Sequence, residues 1–290
     1  MEQHKLFSLE ELKNFQATGK FPVAHSHLLE EKYSDRWKKI DDLFEIMNHT
    51  KFVELNTHDA DDGIEIEDWA DENIPDKSFA KRNAGPTFSY DVDTMIGPHD
   101  WENDAPEDPK LGDYVIRKKL YITQWTGEHY YDHHEGQCPE LEYFIDLHKD
   151  FKPVLDHYAQ ECYKDQHADI QRYLYKLMVI QYTYPVATEE TLVSHRKHNT
   201  ERFGPDHCDE TLGGLHLGEN YREFQAQNTV TDDYEFIPGL DEHKMLWMFG
   251  EDAERSGWKP TFHQMIHNPT PGLGTRYSLI FDLNARYIGE

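Results

Sequence analysis

Residues 204–218 read GPDHCDETLGGLHLG, and this stretch carries the most informative pattern in the chain. His207 and Asp209 are separated by one residue, so in extended backbone both side chains lie on the same face. One imidazole and one carboxylate on one face are two of the three ligands of a two-histidine, one-carboxylate iron site, which leaves coordination positions open on the metal. A second histidine is therefore expected from another strand.

Two later segments supply the residues that such a site needs. Residues 260–267, PTFHQMIH, contain His263 and His267, which are four residues apart and would share one face of a strand. Residues 275–283, TRYSLIFDL, place Arg276 and Ser278 two residues apart, again on one face. A guanidinium beside a hydroxyl suits a carboxylate ligand, because the planar guanidinium binds a carboxylate through two parallel hydrogen bonds.

The wider pattern predicts an α+β fold. From about residue 176, six short apolar or alternating segments follow one another, separated by Gly, Pro, Asn and Asp. This pattern predicts a jelly-roll, that is, a cupin-like barrel or double-stranded β-helix, over residues 176–290. Residues 1–175 are predicted to be a mainly helical region that supports the barrel, with a capping-box pattern at Ser8 and Glu11. Within it, residues 57–113 are acidic or proline-rich and are predicted to be irregular, and both regions are expected to form one compact unit.

Four motifs in this order resemble the iron(II)/2-oxoglutarate-dependent oxygenases, nearest their plant-type, isopenicillin-N-synthase-like branch. They are QYTYP, GPDHCDE, FGEDAERSGWKPTFH and GTRYSL. The resemblance covers about residues 176–284, and residues 1–175 contribute only the general plan of helices before a barrel. Two features depart from the family: Glu251 stands where Asp is usual, and the link between Pro185 and His207 is longer than usual.

The resemblance implies a role for each candidate residue. His207, Asp209 and His263 would bind Fe(II), with His267 as the alternative distal ligand. The segment before His263 favours that residue, whereas the nine-residue step to the arginine favours His267. The distal carboxylate of 2-oxoglutarate would be held by Arg276, Ser278 and Tyr184.

The activity implied by the resemblance is that of an oxidoreductase, a dioxygenase that uses O2 and 2-oxoglutarate as co-substrates and releases succinate and CO2. Its substrate would be a small molecule, such as an amino acid or a natural-product intermediate, hydroxylated or desaturated at an unactivated C–H bond. Two alternatives stay open. A radical halogenase of the same superfamily would have Gly or Ala in place of the carboxylate, as in His216-Leu217-Gly218, but Asp209 disfavours it and His216 is expected to be structural. A jelly roll that binds a metal or ligand without catalysis is the other.

Charge and composition exclude several other classes. Lys and Arg total 29 against 56 Asp and Glu, a formal net charge of −27, which argues against nucleic-acid and anionic-membrane partners. We expect a cytoplasmic protein, because the chain has no long apolar run and its start lacks a secretory signal. Three cysteines give no disulfide framework. The cluster HYYDHH, residues 129–134, has no flanking Cys or carboxylate pattern that would complete a second metal site.

Overall fold

The computed structural model describes residues 6–49, 87–96, 114–125, 139–163, 170–183, 207–219, 224–237, 243–265 and 275–287. Four groups of residues singled out in the sequence lie outside these ranges: Tyr184, His267, the cluster at 129–134, and the parts 57–86 and 97–113 of the predicted irregular segment. Among the helices in the described ranges, none combines the length and the apolar character needed to cross a membrane.

The described α-helices lie in the N-terminal region that was predicted to be mainly helical, and one 3₁₀ helix lies in the predicted barrel. They are α1 (Leu9–Thr18), α2 (His27–Lys32), α3 (Arg36–His49), α4 (Pro139–Tyr163) and a 3₁₀ helix (Glu251–Ser256). The capping box predicted for α1 is confirmed: the Glu11 backbone N–H donates to Ser8 Oγ at 3.2 Å, and the Ser8 N–H donates to Glu11 Oε2 at 2.7 Å. The helix ends at Gly19, whose positive φ of 73° glycine adopts without strain.

The described strands form two antiparallel sheets. The seven-stranded sheet has the order β1-β8-β5-β10-β4-β3-β2, and the three-stranded sheet has the order β7-β6-β9. The strands are β1 (Val23–His25), β2 (Thr87–Ile96), β3 (Tyr114–Trp125), β4 (Ile170–Thr183), β5 (Gly213–Glu219), β6 (Phe224–Gln227), β7 (Tyr234–Phe236), β8 (Lys244–Phe249), β9 (His263–Met265) and β10 (Thr275–Tyr287). Each of the six apolar segments predicted after residue 176 contains a strand, and the α+β jelly-roll fold class is confirmed.

The N-terminal region contains more strand than the sequence analysis predicts. Three strands lie before residue 175, and β4 itself begins at Ile170. The prediction of an irregular segment over 57–113 is wrong at β2. The first seven residues of its sequence, TFSYDVD, alternate polar and apolar residues with the period of two that is typical of a strand. Residue 175 therefore does not separate a helical part of the chain from a stranded one.

Two apolar clusters flank the large sheet. The helix-side core packs α4 against β10, and the rings of Phe151 and Phe281 stack with their centroids 4.4 Å apart. The inter-sheet core is smaller and joins strands of both sheets through Phe224, Ala226, Ile237, Leu246 and Met248. The candidate polar residues lie on the inter-sheet side of β10, because alternate residues of a strand face opposite ways.

Candidate metal centre

A short backbone bridge joins the two histidines that lie far apart in the chain. The His207 N–H donates to the His263 carbonyl oxygen at 3.0 Å, and the His263 N–H donates to the His207 carbonyl oxygen at 2.9 Å. This antiparallel pairing holds the two imidazole rings with their centroids 4.2 Å apart. The start of β9 therefore delivers His263 beside the His-x-Asp motif.

Asp209 completes the cluster from the turn before β5. Its carbonyl oxygen accepts hydrogen bonds from the N–H groups of Thr211 and Glu251, at 2.8 and 2.9 Å, so the 3₁₀ helix holds the turn in place. The Asp209 Oδ2 atom lies 3.9 Å from His263 Nε2. One ligand atom from each of His207, Asp209 and His263 lies within 4.8 Å of the other two, which is the predicted facial set.

The residue between the two candidate ligands, His207 and Asp209, faces away from them. Cys208 is buried, and its Sγ lies 3.5 Å from the Phe249 carbonyl oxygen. Burial raises the pKa of its thiol to about 12, so the thiolate form is disfavoured. Cys208 therefore packs into the protein, as alternation along extended backbone predicts.

His263 is held in the form that binds a metal. Its Nδ1 lies 3.3 Å from the Thr261 carbonyl oxygen, and a carbonyl only accepts, so Nδ1 carries the proton and Nε2 keeps its lone pair toward Asp209. Burial lowers the pKa of His263 to about 3, with a further contribution from His207. A neutral imidazole is the protonation state that metal coordination requires.

A second cluster of polar side chains, which includes His216 and Asp282, lies beside Asp209. His216 Nε2 lies 3.6 Å from Asp209 Oδ2, and Asp282 offers a carboxylate oxygen within 4.8 Å of ligand atoms of both. Lys176 Nζ forms an ion pair with Asp282 Oδ2 at 3.0 Å. Burial raises the pKa of Asp282 to about 6, against the opposing effect of Lys176. Burial also lowers the pKa of His216 to about 3.

Sequence reasoning missed this buried group. It treated His216 as structural, whereas the structure places that ring against a predicted metal ligand. Asp282 has the same parity in β10 as Arg276 and Ser278, so extending their shared face by four residues would have found it. Lys176, the ion-pair partner of Asp282 in β4, has no comparable pattern in the sequence.

Arg276 and Ser278 lie on the same side of the sheet as the candidate centre. Ile280 of β10 is opposite His216 of β5, so the even-numbered residues of β10 share the face of His216. Both Arg276 and Ser278 are buried, each with 1% of its surface exposed. Arg276 and Ser278, two of the three residues predicted to bind a dicarboxylate, therefore lie on one face. The third, Tyr184, lies outside the described residues.

Comparison with solved structures identifies the class of fold. A full-length protein from Neurospora crassa, solved in complex with alpha-KG, matches with a TM-score of 0.54 and 16% identity, over 95% of this chain and 78% of that one. The same Neurospora crassa protein in complex with alpha-KG and thymine matches with a TM-score of 0.51 and 12% identity, over 95% and 78%. A protein assigned to the 2OG-Fe(II) oxygenase family, from Caulobacter crescentus, matches with a TM-score of 0.50 and 12% identity, over 98% and 82%.

No family model and no curated protein matches the chain. The structural matches define the fold as that of the 2-oxoglutarate–iron(II) oxygenases, the superfamily that the sequence motifs resemble. Membership of the isopenicillin-N-synthase-like branch stays a prediction.

Proposed function

We propose that this protein is an iron(II)- and 2-oxoglutarate-dependent oxygenase. The observation that carries the proposal is the convergence of His207, Asp209 and His263 in a fold shared with 2OG-Fe(II) oxygenases. The donor set fits the metal, because two imidazoles and one carboxylate are the ligand types that would hold Fe(II) while leaving coordination positions open. The buried, neutral imidazole of His263 supports the same assignment.

The iron, when bound, supplies the activation of O2 that is coupled to oxidative decarboxylation of 2-oxoglutarate to succinate and CO2. Arg276 and Ser278 would bind the distal carboxylate of 2-oxoglutarate, with Tyr184 as a third predicted donor. Ser278 is two residues along β10 from the position opposite His216, and His216 Nε2 lies 3.6 Å from Asp209 Oδ2. The two proposed dicarboxylate donors therefore lie on the same face of the sheet as a ring that contacts a proposed metal ligand.

The proposed substrate is a small molecule with an unactivated C–H bond, such as an amino acid or a natural-product intermediate, which is hydroxylated or desaturated. The thymine complex of the Neurospora crassa protein supports a small-molecule substrate for this fold. The Asp209 carboxylate argues against the halogenase alternative, since that chemistry needs its position free for halide. The predicted cytoplasmic location and the lack of a nucleic-acid partner belong to the same proposal and follow from the sequence alone.

An anaerobic titration tests the metal and co-substrate site together. Metal-free protein receives Fe(II) and then 2-oxoglutarate while the visible spectrum is recorded. We expect a metal-to-ligand charge-transfer band that needs both additions, and we expect Asp209→Ala to remove the band and 2-oxoglutarate turnover. Glu210→Ala is the matched control, because it removes a neighbouring exposed carboxylate. A folded wild-type protein that binds neither addition contradicts the proposal and favours a non-catalytic jelly roll.

The dicarboxylate site is tested separately with Arg276→Gln. Loss of a charge-assisted contact weakens 2-oxoglutarate binding by about 10- to 100-fold, while Fe(II) binding is unchanged because no metal ligand is altered. Arg286→Gln, ten residues along the same strand face, serves as the control. Equal 2-oxoglutarate affinities for the two variants would place the distal carboxylate elsewhere.

A further inference from the structure

We propose a second metal site, on the surface of the protein, formed by His25, His27 and Glu30. One ligand atom from each of these residues lies within 4.8 Å of the other two. His25 Nε2 lies 3.0 Å and His27 Nδ1 lies 3.6 Å from the same carboxylate oxygen, Glu30 Oε2. Both imidazoles therefore direct a ring nitrogen at one point next to one carboxylate oxygen.

The spacing of the three ligand atoms fits a small divalent ion. Zinc binds imidazole nitrogen and carboxylate oxygen at about 2.0–2.1 Å in a tetrahedral arrangement, which separates neighbouring ligand atoms by about 3.3 Å. Two of the three separations, 3.0 and 3.6 Å, lie on either side of this value, and the third is within 4.8 Å. Only small side-chain adjustments are needed to receive an ion.

The backbone around the cluster is held by contacts to other elements. His25 ends β1 and pairs with Lys244 of β8, which sets its position at the sheet edge. The next residue, Ser26, is buried, and its N–H donates to the His243 carbonyl oxygen at 2.7 Å. Ser26 is also the N-cap of α2, so His27 opens the helix and Glu30 follows on the same helical face. The backbone that carries the three side chains is therefore fixed by contacts to other elements.

The donor set selects the class of ion. Two imidazoles with one carboxylate suit Zn²⁺ and its neighbours Co²⁺, Ni²⁺ and Cu²⁺, whereas Ca²⁺ and Mg²⁺ prefer oxygen ligands. A third imidazole, that of His243, lies with its ring centroid 5.8 Å from that of His25, but its Nδ1 lies 3.2 Å from Arg36 Nη1. We assign the fourth position to water, which makes this an open site.

A simple surface ion pair between Glu30 and the two histidines is the competing explanation. The hydrogen bond from His25 is the main cause that lowers the pKa of Glu30, so the carboxylate is charged at neutral pH under either explanation. The two explanations differ in what the cluster binds. An ion pair has no affinity for transition metals beyond that of scattered surface histidines, whereas a site takes up one ion and loses it when one ligand is removed.

The test uses Co²⁺ with the full-length, metal-free protein carrying no polyhistidine tag. Four-coordinate Co²⁺ absorbs visible light far more strongly than six-coordinate Co²⁺, so the spectrum distinguishes this site from the six-coordinate iron site. We expect wild type to bind about two Co²⁺ ions, one of them with the intense four-coordinate bands. His27→Ala and Glu30→Gln should each remove those bands and one bound ion.

Glu31→Gln is the matched control, because it removes a neighbouring charge from the same helix and should keep both ions. Asp209→Ala should lose the other ion and keep the four-coordinate bands, so the surface site does not depend on the proposed function. Folded wild type without these bands, or Glu30→Gln with the wild-type spectrum and stoichiometry, overturns the proposal.

Discussion

Both faces of β10 contain buried residues, but the buried residues are of different kinds. The face toward α4 is apolar and belongs to the helix-side core, with Tyr277, Leu279, Phe281 and Leu283. The opposite face carries Arg276, Ser278 and Asp282, each with only 1% of its surface exposed. Burying polar groups costs free energy unless they are paired, and Asp282 has its partner in Lys176. One face therefore contributes apolar packing, and the other carries the polar residues to which the proposal assigns the dicarboxylate.

The largest effect on stability is expected on the apolar face. Phe281→Ala should lower the free energy of unfolding by about 3–5 kcal/mol, because the ring that stacks on Phe151 leaves a cavity. Chemical denaturation measures the loss, and binding of 2-oxoglutarate by the folded fraction should remain. A change below about 1 kcal/mol would mean that this face does not carry the stability assigned to it.

On the polar face, Lys176→Met should lower the free energy of unfolding by about 3 kcal/mol, because it leaves the buried Asp282 carboxylate without its cation. Denaturation at pH 7 measures the effect. Adding Asp282→Asn should recover part of the loss, since the uncompensated charge is then gone. If the changes in the free energy of unfolding caused by the two substitutions are additive, the ion pair does not stabilise the fold as described.

Acid should weaken both faces. Burial is the main cause that lowers the pKa values of His148, His216 and His263 to about 3. Below pH 6.5 the unfolded chain takes up protons at these positions while the folded chain does not. Their stability contribution is therefore complete above that pH and is lost as pH falls toward 3.

Between pH 6.5 and pH 3, each of these histidines should lower the free energy of unfolding by up to ~1.4 kcal/mol for each unit by which the pH falls. Denaturation of metal-free protein between pH 6 and pH 5 measures the net slope, to which Asp282 makes a contribution of opposite sign because burial raises its pKa to about 6. His148→Leu, a change in α4 on the helix side of the sheet, should reduce the slope by one such increment and leave Fe(II) binding intact. An unchanged slope would show that His148 has the same pKa in the folded and the unfolded protein.

The smallest effect is expected for Ser278→Ala. Loss of one hydroxyl donor should weaken 2-oxoglutarate binding by about 1 kcal/mol, roughly fivefold, with little change in the unfolding free energy. Isothermal titration at a saturating metal concentration measures it. Ser256→Ala, another buried serine in the 3₁₀ helix, should bind 2-oxoglutarate as wild type does. A loss of stability without a loss of affinity would assign Ser278 to the core instead.

Local patterns predicted much of this fold, and long-range register explains what they missed. The capping box of α1 and the six later strands follow from spacing within a few residues. β2 was missed because its alternation lies within an acidic, proline-rich stretch that reads as a loop. The order of the motifs predicted that His207, Asp209 and a late histidine come together. In the structure, the backbone bridge between His207 and His263 brings these residues side by side.

Two other contacts were beyond sequence reasoning. The Lys176–Asp282 ion pair depends on the register between β4 and β10, and alternation gives the face of a residue but not its partner across the sheet. The cluster of His25, His27 and Glu30 depends on the turn from β1 into α2, which brings two histidine side chains of different elements to one carboxylate. Neither arrangement has a sequence motif.

The central position of β10 has a consequence for how the chain is made. β10 pairs with β4 on one side and with β5 on the other, although it is synthesised after both. Until residues 275–287 leave the ribosome, the nascent chain holds two strands whose inner edges await a partner, and such edges invite pairing with other chains. Arg276 and Ser278 arrive on the same strand that closes the sheet. A translation product that stops before residue 275 would therefore expose both strand edges and would also lack the two residues that the proposal assigns to the dicarboxylate.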